Sequence, residues 1–269
     1  MSVTGALHLT CDLGNGRTKL VLWEAEVSRP RMRLAFETAA PPVAAELQAA
    51  FEREGFGLPI AIHVCSVAGE SVLAGWAEQA LDLDGSELRI APDHGLAVEC
   101  RNEHTIGSDR LFAARGAAAV FRESCVVLDA GTALTVDAVR VEEEAAPARF
   151  LGGAIAPGPD LLARSLADAG AQLWEVQLEP GAPALGRESS EAMRAGCVVG
   201  FRGAAFELAR RVGLEAGMAG ARRVLCGGAA RYLLEPDSFW PGDVAHEPDL
   251  VHLGLLASAG LTVSQTGGP

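Results

Sequence analysis

Of 269 residues, 49% are hydrophobic and 21% charged, and 35 Asp and Glu set against 22 Lys and Arg leave a formal charge of −13. At roughly 150 residues per domain, the length suits two domains or two lobes with a buried core. The acidic balance excludes the basic footprint of a nucleic-acid binder and of a protein that clings to anionic lipid. Lys19 is the one lysine and the other 21 basic residues are arginine. Genomic base composition accounts for such a bias, and it leaves a mechanism that needs an amine a single candidate.

In chain order, a short apolar run predicts a strand over Ala6–Cys11, with no basic segment ahead of it to make Met1–Leu9 a secretory signal. A strand over Leu20–Glu24 follows, then helical spacing over Val43–Glu54, a strand over Ile60–Cys65 and a helix over Glu70–Leu81. A helix over Asp109–Arg122 leads to strands at Cys125–Asp129 and Leu134–Arg140, with the acidic stretch Glu142–Pro147 read as a hairpin tip. Helices over Leu161–Asp168 and Ser189–Leu214, a strand over Arg223–Cys226 and a helix over Pro248–Ala259 complete the series, and Ser264–Pro269 reads as a frayed tail. Alternating strands and helices predict an α/β fold. Gly196, Gly200 and Gly203 weaken the long helix by up to about 1 kcal/mol each, and their spacing predicts close packing against another helix. Six cysteines without a CxxC pair predict a reduced, intracellular protein, and no apolar run is long enough to span a membrane. The histidines show no HxxxH or HExxH spacing, so no structural zinc is expected.

The chain contains an internal echo. Leu9-Thr-Cys-Asp12-Leu-Gly14-Asn15-Gly-Arg-Thr18 matches Val126-Val-Leu-Asp129-Ala-Gly131-Thr132-Ala-Leu-Thr135, 117 residues on. In each, a buried strand ends at Asp, then a residue, Gly and a polar residue, and a second apolar strand begins. One Asp-x-Gly turn is common because Asp and Gly suit tight turns. Two at half-chain separation predict a duplicated domain whose hairpins face each other across a cleft. Small residues at a strand turn expose backbone N–H groups that cradle phosphate without a basic side chain. A carboxylate at the strand end repels phosphate but holds a cation, or the cation's water, that phosphate also ligates. The pair therefore predicts a nucleoside triphosphate with Mg²⁺. No GxxxxGK[ST] occurs and no GxGxxG follows a strand, which excludes a Walker loop and disfavours a Rossmann dehydrogenase. Phosphoryl transfer also needs a group to orient and deprotonate the acceptor. Gly107-Ser108-Asp109-Arg110 opens a helix near mid-sequence, where Ser108 or Asp109 also suits a plain helix cap.

With these motifs the chain resembles the type III pantothenate kinases of the acetate and sugar kinase/Hsp70/actin superfamily. The resemblance rests on seven segments in order: Asp12–Lys19, His63-Val-Cys-Ser66-Val67, Gly107–Arg110, Asp129–Asp137, Leu151-Gly-Gly153-Ala-Ile-Ala-Pro157-Gly158, Gly186–Met193 and Cys226-Gly227-Gly228. It implies a duplicated actin-like (ribonuclease H-like) two-lobed α/β fold with mixed sheets and a nucleotide cleft between the lobes. The lobes would cover 1–115, with the first phosphate motif and the acceptor base, and 116–263, with the second phosphate motif and the adenosine side; 264–269 would be a flexible tail.

The activity implied is ATP-dependent phosphorylation of pantothenate in the cytoplasm, by a homodimer whose substrate site is closed by the neighbouring subunit. Asp109 would be the general base. Asp12, Gly14, Asn15, Gly16, Lys19 and Thr132 would meet the ATP phosphates; Cys100, Gly107, Ser108, Asp109, Arg110 and Ser189 would lie at pantothenate. Asp12 would organise Mg²⁺ through water, and Asp129 a monovalent cation, K⁺ or NH₄⁺. Lys19 reads either as a cation beside the phosphates or as a strand residue reaching solvent. Cys226-Gly227-Gly228 reads either as a close approach to adenosine or as a tight turn.

Three positions depart from the family pattern. Cys100 stands where a tyrosine is usual, Gly186-Arg187-Glu188-Ser189 replaces Gly-Lys-Asn-Thr, and Gly16 replaces a threonine. The aspartates at 12, 109 and 129 remain. The alternatives are a non-catalytic relative resembling the Bvg accessory factor, a kinase with an altered acceptor, and a sugar or acetate-type kinase of the wider superfamily, which the Gly107–Arg110 and Leu151–Gly158 segments disfavour.

Overall fold

The computed structural model describes residues 6–24, 27–142, 146–170, 172–234 and 244–266. Part of the expected hairpin tip, 143–145, and the end of the expected tail, 267–269, lie outside them, as do residues 1–5. The chain divides into two units, 1–97 with 101–122 and 249–266, and 98–100 with 123–248 and 267–269.

The first unit is a five-stranded mixed sheet. Strands β1 (Leu7–Leu13), β2 (Arg17–Glu24) and β3 (Val27–Glu37) form an antiparallel meander, and β4 (Ala61–Ser66) and β5 (Glu87–Ile90) join β1 in parallel, in the order β3-β2-β1-β4-β5. Strand alternation sorts β1 into two faces. Leu7, Leu9, Cys11 and Leu13 enter an apolar core with Leu20, Leu22, Ile62 and Val64, covered by α1 (Ala44–Arg53) through Leu47 and Phe51 and by α2 (Glu70–Gln79) through Trp76. His8, Thr10 and Asp12 alternate with them. On that second face Thr10 Oγ1 accepts the Trp23 indole N–H at 2.8 Å, and His8 Nδ1 lies 3.1 Å from His63 Nε2. Helix α3 (Ser108–Phe121) follows.

Strand β3 escapes the apolar-run criterion because Pro30, Arg31 and Arg33 interrupt it. Met32, Leu34 and Phe36 pack on the core, as suits an edge strand protected by charge and proline.

The second unit carries a six-stranded sheet in the order β11-β10-β7-β8-β9-β6. Its strands are β6 (Ala97–Val98, where the chain passes between units), β7 (Cys125–Ala130), β8 (Ala133–Arg140), β9 (Arg149–Pro157), β10 (Arg222–Cys226) and β11 (Val244–His246). β7, β8 and β9 form the antiparallel meander, and β10 and β11 add in parallel. Helices α4 (Pro159–Ala169) and α5 (Ser189–Glu215) belong to this unit, and Val198, Phe201, Ala205 and Ala209 of α5 pack on Val126, Leu128 and Val136. The chain then returns to the first unit with α6 (Leu250–Ser258), which crosses α3 where Gly116 and Gly254 leave no room for a side chain. His252 of α6 sits 2.9 Å from the Thr10 hydroxyl.

The meander followed by parallel strands occurs in both units, as the echo predicts. The hairpins differ by one residue. Asp12 pairs with Lys19, seven positions on, whereas Asp129 pairs with Thr135, six positions on. Thr18 and Thr135, aligned in the sequence, therefore stand at different register positions; Thr18 is buried and Thr135 half-buried. The glycines of α5 also differ from expectation. A side chain at Gly196, Gly200 or Gly203 would meet nothing within 4 Å among the described residues, so these positions line an open face of the helix.

Candidate active site

Asp12 ends the polar face of β1 with its side chain 13% exposed. Lys19, its cross-strand partner, places Nζ 3.7 Å from Oδ2 with 46% of its side chain exposed. From the other side the buried Cys65 thiol donates to Asp12 Oδ1 at 3.8 Å. Burial is the main influence and raises the Asp12 carboxyl above its usual range. Lys19 and Cys65 oppose that, and the carboxylate of Asp109 adds to it. Burial and Asp12 also push the Cys65 thiol well up, so it stays protonated as a donor.

Beyond Asp12 the chain turns through Gly14, Asn15, Gly16 and Arg17, the last three exposed. Gly14 N–H donates to Arg17 C=O at 3.2 Å, so that N–H serves the turn itself. Thr38, just past the end of β3, closes the turn from beneath. Its hydroxyl donates to Gly14 C=O at 2.8 Å, its N–H donates to Gly16 C=O at 3.1 Å, and Thr18 Oγ1 lies 3.0 Å from its hydroxyl.

Asp109 stands in the first turn of α3, in the same unit as Asp12. Its Oδ1 accepts the N–H of Arg110 at 2.8 Å. Ser108, expected either to cap the helix or to meet substrate, directs its hydroxyl to the carbonyl of Ser66 at the end of β4, 2.9 Å away. That bond ties the start of α3 to the sheet; the N-cap residue is Gly107, without a side chain, and of the two expected capping residues it is Asp109 that takes a first-turn N–H. Asp12, Lys19, Gly107, Ser108, Asp109 and Arg110 thus belong to one unit, with Asp109 close enough to add to the raising of Asp12.

In the second unit Asp129 is the penultimate residue of β7. Gly131 N–H donates to Ala133 C=O at 2.9 Å, and Thr132 is exposed at the turn. Two glycines press on this turn. Gly158 N–H donates to Thr132 C=O at 2.9 Å, and a side chain there would overlap the turn carbonyls. Gly227, with φ +88°, leaves no space for a Cβ beside Asp129 Oδ1 and Ala130 C=O. The segments Leu151–Gly158 and Cys226–Gly228 therefore close around the second turn because they lack side chains at the contact.

Cys100 is half-buried at the edge of this unit, and a Cβ on Gly152 would lie 3.4 Å from its sulfur. Ser189 is the exposed first residue of α5. Its neighbour Ser190 is buried and donates to the Glu188 carboxylate.

Motif reading finds the aspartates and glycines, includes Cys65 and Ser66 in the His63–Val67 segment without a role, and passes over Thr38; all three act on the site through hydrogen bonds. For Thr38, the signal in the sequence is a lone threonine closing the Arg-rich β3 segment.

A family model described as type III pantothenate kinase matches residues 8–211. A type III pantothenate kinase of Thermus thermophilus is 35% identical over 223 residues, which cover 78% of this chain and 84% of that one. The type III pantothenate kinase of Thermomicrobium roseum is 29% identical over 259 residues, covering 93% and 95%. Among solved structures, the activator of 2-hydroxyisocaproyl-CoA dehydratase from Clostridium difficile with bound ADPNP superposes with a TM-score of 0.54 at 13% identity, over 96% of this chain and 95% of that one. The Alp12 filament structure gives 0.50 at 13% identity, over 96% and 99%. The fold is the duplicated actin-like α/β fold with two mixed sheets. By its sequence, the chain belongs to the type III pantothenate kinase family.

Proposed function

We propose that this chain transfers the γ-phosphoryl group of ATP to pantothenate, giving 4′-phosphopantothenate and ADP at the entry to coenzyme A synthesis. The supporting observation is the placement of Asp109 at the start of α3, near enough to Asp12 to raise it, in one unit with the first turn. Asp109 is the general base. With Oδ1 occupied by the Arg110 N–H, Oδ2 is offered to the acceptor hydroxyl and takes its proton, a role worth about 10²–10⁴ in rate. Arg110 and Gly107 flank pantothenate, and Ser108 holds the helix start through Ser66. Cys100 and Ser189 complete the acceptor side. Lys19 and the tip residues Gly14, Asn15 and Gly16 meet the phosphates, with Thr132 from the second turn.

The donor set suits a magnesium ion. A carboxyl raised by burial, with a neighbouring carboxylate adding to it, gains from added positive charge, and Mg²⁺ binds through one or two carboxylates, water and phosphate oxygens. Magnesium supplies neutralisation of charge across the transferring phosphates; Asp12 holds it through water. Asp129 takes the monovalent cation, K⁺ or NH₄⁺.

The working form is a homodimer. Gly196, Val199, Gly200 and Gly203 form an open stripe of small and apolar residues on α5, and Ile155, Leu166, Trp174 and Leu185 of the same unit are exposed. Such surface is characteristic of a site covered by another protein surface.

An ADP-release assay with pantothenate, with and without K⁺ or NH₄⁺, tests the reading. Asp109→Asn should retain ATP binding and lose about 10²–10⁴ in kcat. Activity retained in that variant would reassign the base, and no turnover by the folded wild-type chain would sink the enzymatic reading.

A further inference from the structure

From the bonds beneath the first turn, we infer that Thr38 is the positioning residue that makes this turn an anion cradle. The inference rests on reading the turn as the phosphate site and goes on to say how the chain orients it. In a planar trans peptide the C=O and the following N–H point in opposite directions. Thr38 draws two turn carbonyls toward itself, Gly14 C=O to its hydroxyl and Gly16 C=O to its N–H. The amide N–H groups of Asn15 and Arg17 are thereby turned away from Thr38, on a stretch that is exposed.

The remaining polar groups of Thr38 hold it in place. Its carbonyl accepts the Trp76 indole N–H at 2.8 Å, and its hydroxyl, donating to Gly14, accepts from Thr18 at 3.0 Å. Thr38 is 3% exposed and Thr18 is fully buried, so water does not substitute for these bonds. The Asn15 N–H, at the exposed tip, is thereby offered to a phosphate oxygen, and that of Arg17 is directed across the hairpin toward Gly14; backbone N–H groups at such a turn bind phosphate oxygens without a basic side chain. The second turn reaches a similar state by other means: Thr132 C=O is drawn by the N–H of Gly158.

Thr38→Val keeps the volume and the backbone N–H and removes the hydroxyl. Gly14 C=O then loses its anchor, and the ATP KM and Kd should rise about tenfold, the worth of roughly one buried hydrogen bond. The pantothenate KM should stay unchanged, and Thr38→Ser should restore ATP affinity. A folded Thr38→Val variant with wild-type ATP affinity overturns the inference, as does an equal loss of affinity for both substrates. The second measurement needs no variant. Hydrogen exchange of the wild-type peptide spanning 13–20 should slow when a non-hydrolysable ATP analogue binds with Mg²⁺. If the analogue binds and pantothenate is phosphorylated while this exchange is unchanged, the role of Thr38 is lost and the kinase reading stands. If no nucleotide binds, both are lost.

Discussion

Lys19 and Asp12 form an ion pair that is half in water, with 46% of the lysine side chain exposed. Pairs of this kind contribute between about 0 and 1 kcal/mol to stability, so the lysine's value to the fold is small. Its value at the site should be larger, because an ammonium beside phosphate carries charge that no other lysine in the chain can replace. Lys19→Ala should therefore leave the melting temperature nearly unchanged and raise the ATP KM about tenfold, measured in the same ADP-release assay. Unaltered kinetics would return Lys19 to the role of a strand residue reaching solvent. At this scale the sequence reveals residues whose chemistry is distinctive by type and spacing, namely the aspartates, the lone lysine and the turn glycines. Thr38, Ser66 and Cys65 are ordinary residues made relevant by partners 24, 42 and 53 positions away, and local spacing holds no trace of such pairs.

Among the elements, the apolar runs and helical spacings locate six strands and six helices to within a few residues, because each carries enough buried apolar side chains to stand out from the turns around it. Strand β9 is obscured by Gly152, Gly153 and the half-exposed alternation of its side chains, as β3 is by its arginines and proline. The register of the two hairpins could not be read from the aligned motifs, since a turn one residue shorter leaves the motif residues intact and moves every residue after it relative to its partner strand. The glycines of α5 show the same limit. Small residues at helical spacing mark a surface that can be approached closely and do not say from which side. Because that face is open, Gly200→Glu places a carboxylate on it without an internal clash and improves helix propensity by roughly 0.5 kcal/mol or more. The variant should fold, and sedimentation should show the proposed wild-type dimer replaced by monomer; a dimer of unchanged strength would place the interface elsewhere.

For the whole molecule, the buried histidines set the response to acid. Burial, with Asp249 opposing and Lys19 and Arg33 assisting, lowers His252 to about 3. Burial, His8 and Arg89, with Glu87 opposing, lower His63 to about 4. Both remain neutral in the fold while the unfolded chain protonates them near 6.5, so the unfolded state binds more protons below that pH. Their contribution to stability is complete above about 6.5 and falls as pH drops, at about 1.4 kcal/mol per pH unit for each histidine until its folded value is reached. The raised carboxyl of Asp12 acts with the opposite sign, since its proton is bound more readily in the fold. The histidine contribution predicts a melting temperature that falls from pH 7 to pH 4; a profile that falls equally in the His63→Gln/His252→Gln double variant would show that these histidines do not set it.

The two-part plan was legible in the echo. The return of α6 to the first unit was not, because a helix buried from Leu250 to Ala257 carries no polar face to say where it packs. The difference in hairpin register reaches furthest. In the first copy the chain brings its own ammonium to the aspartate, tethered on the side chain of Lys19. In the second, the shorter turn sets Thr135 opposite the aspartate, and the cation proposed there is a separate ion. Two copies of one motif thus differ in how they meet their aspartates, and if the second draws its proposed cation from the cell's salt, the rate is tied to the ionic state of the surroundings.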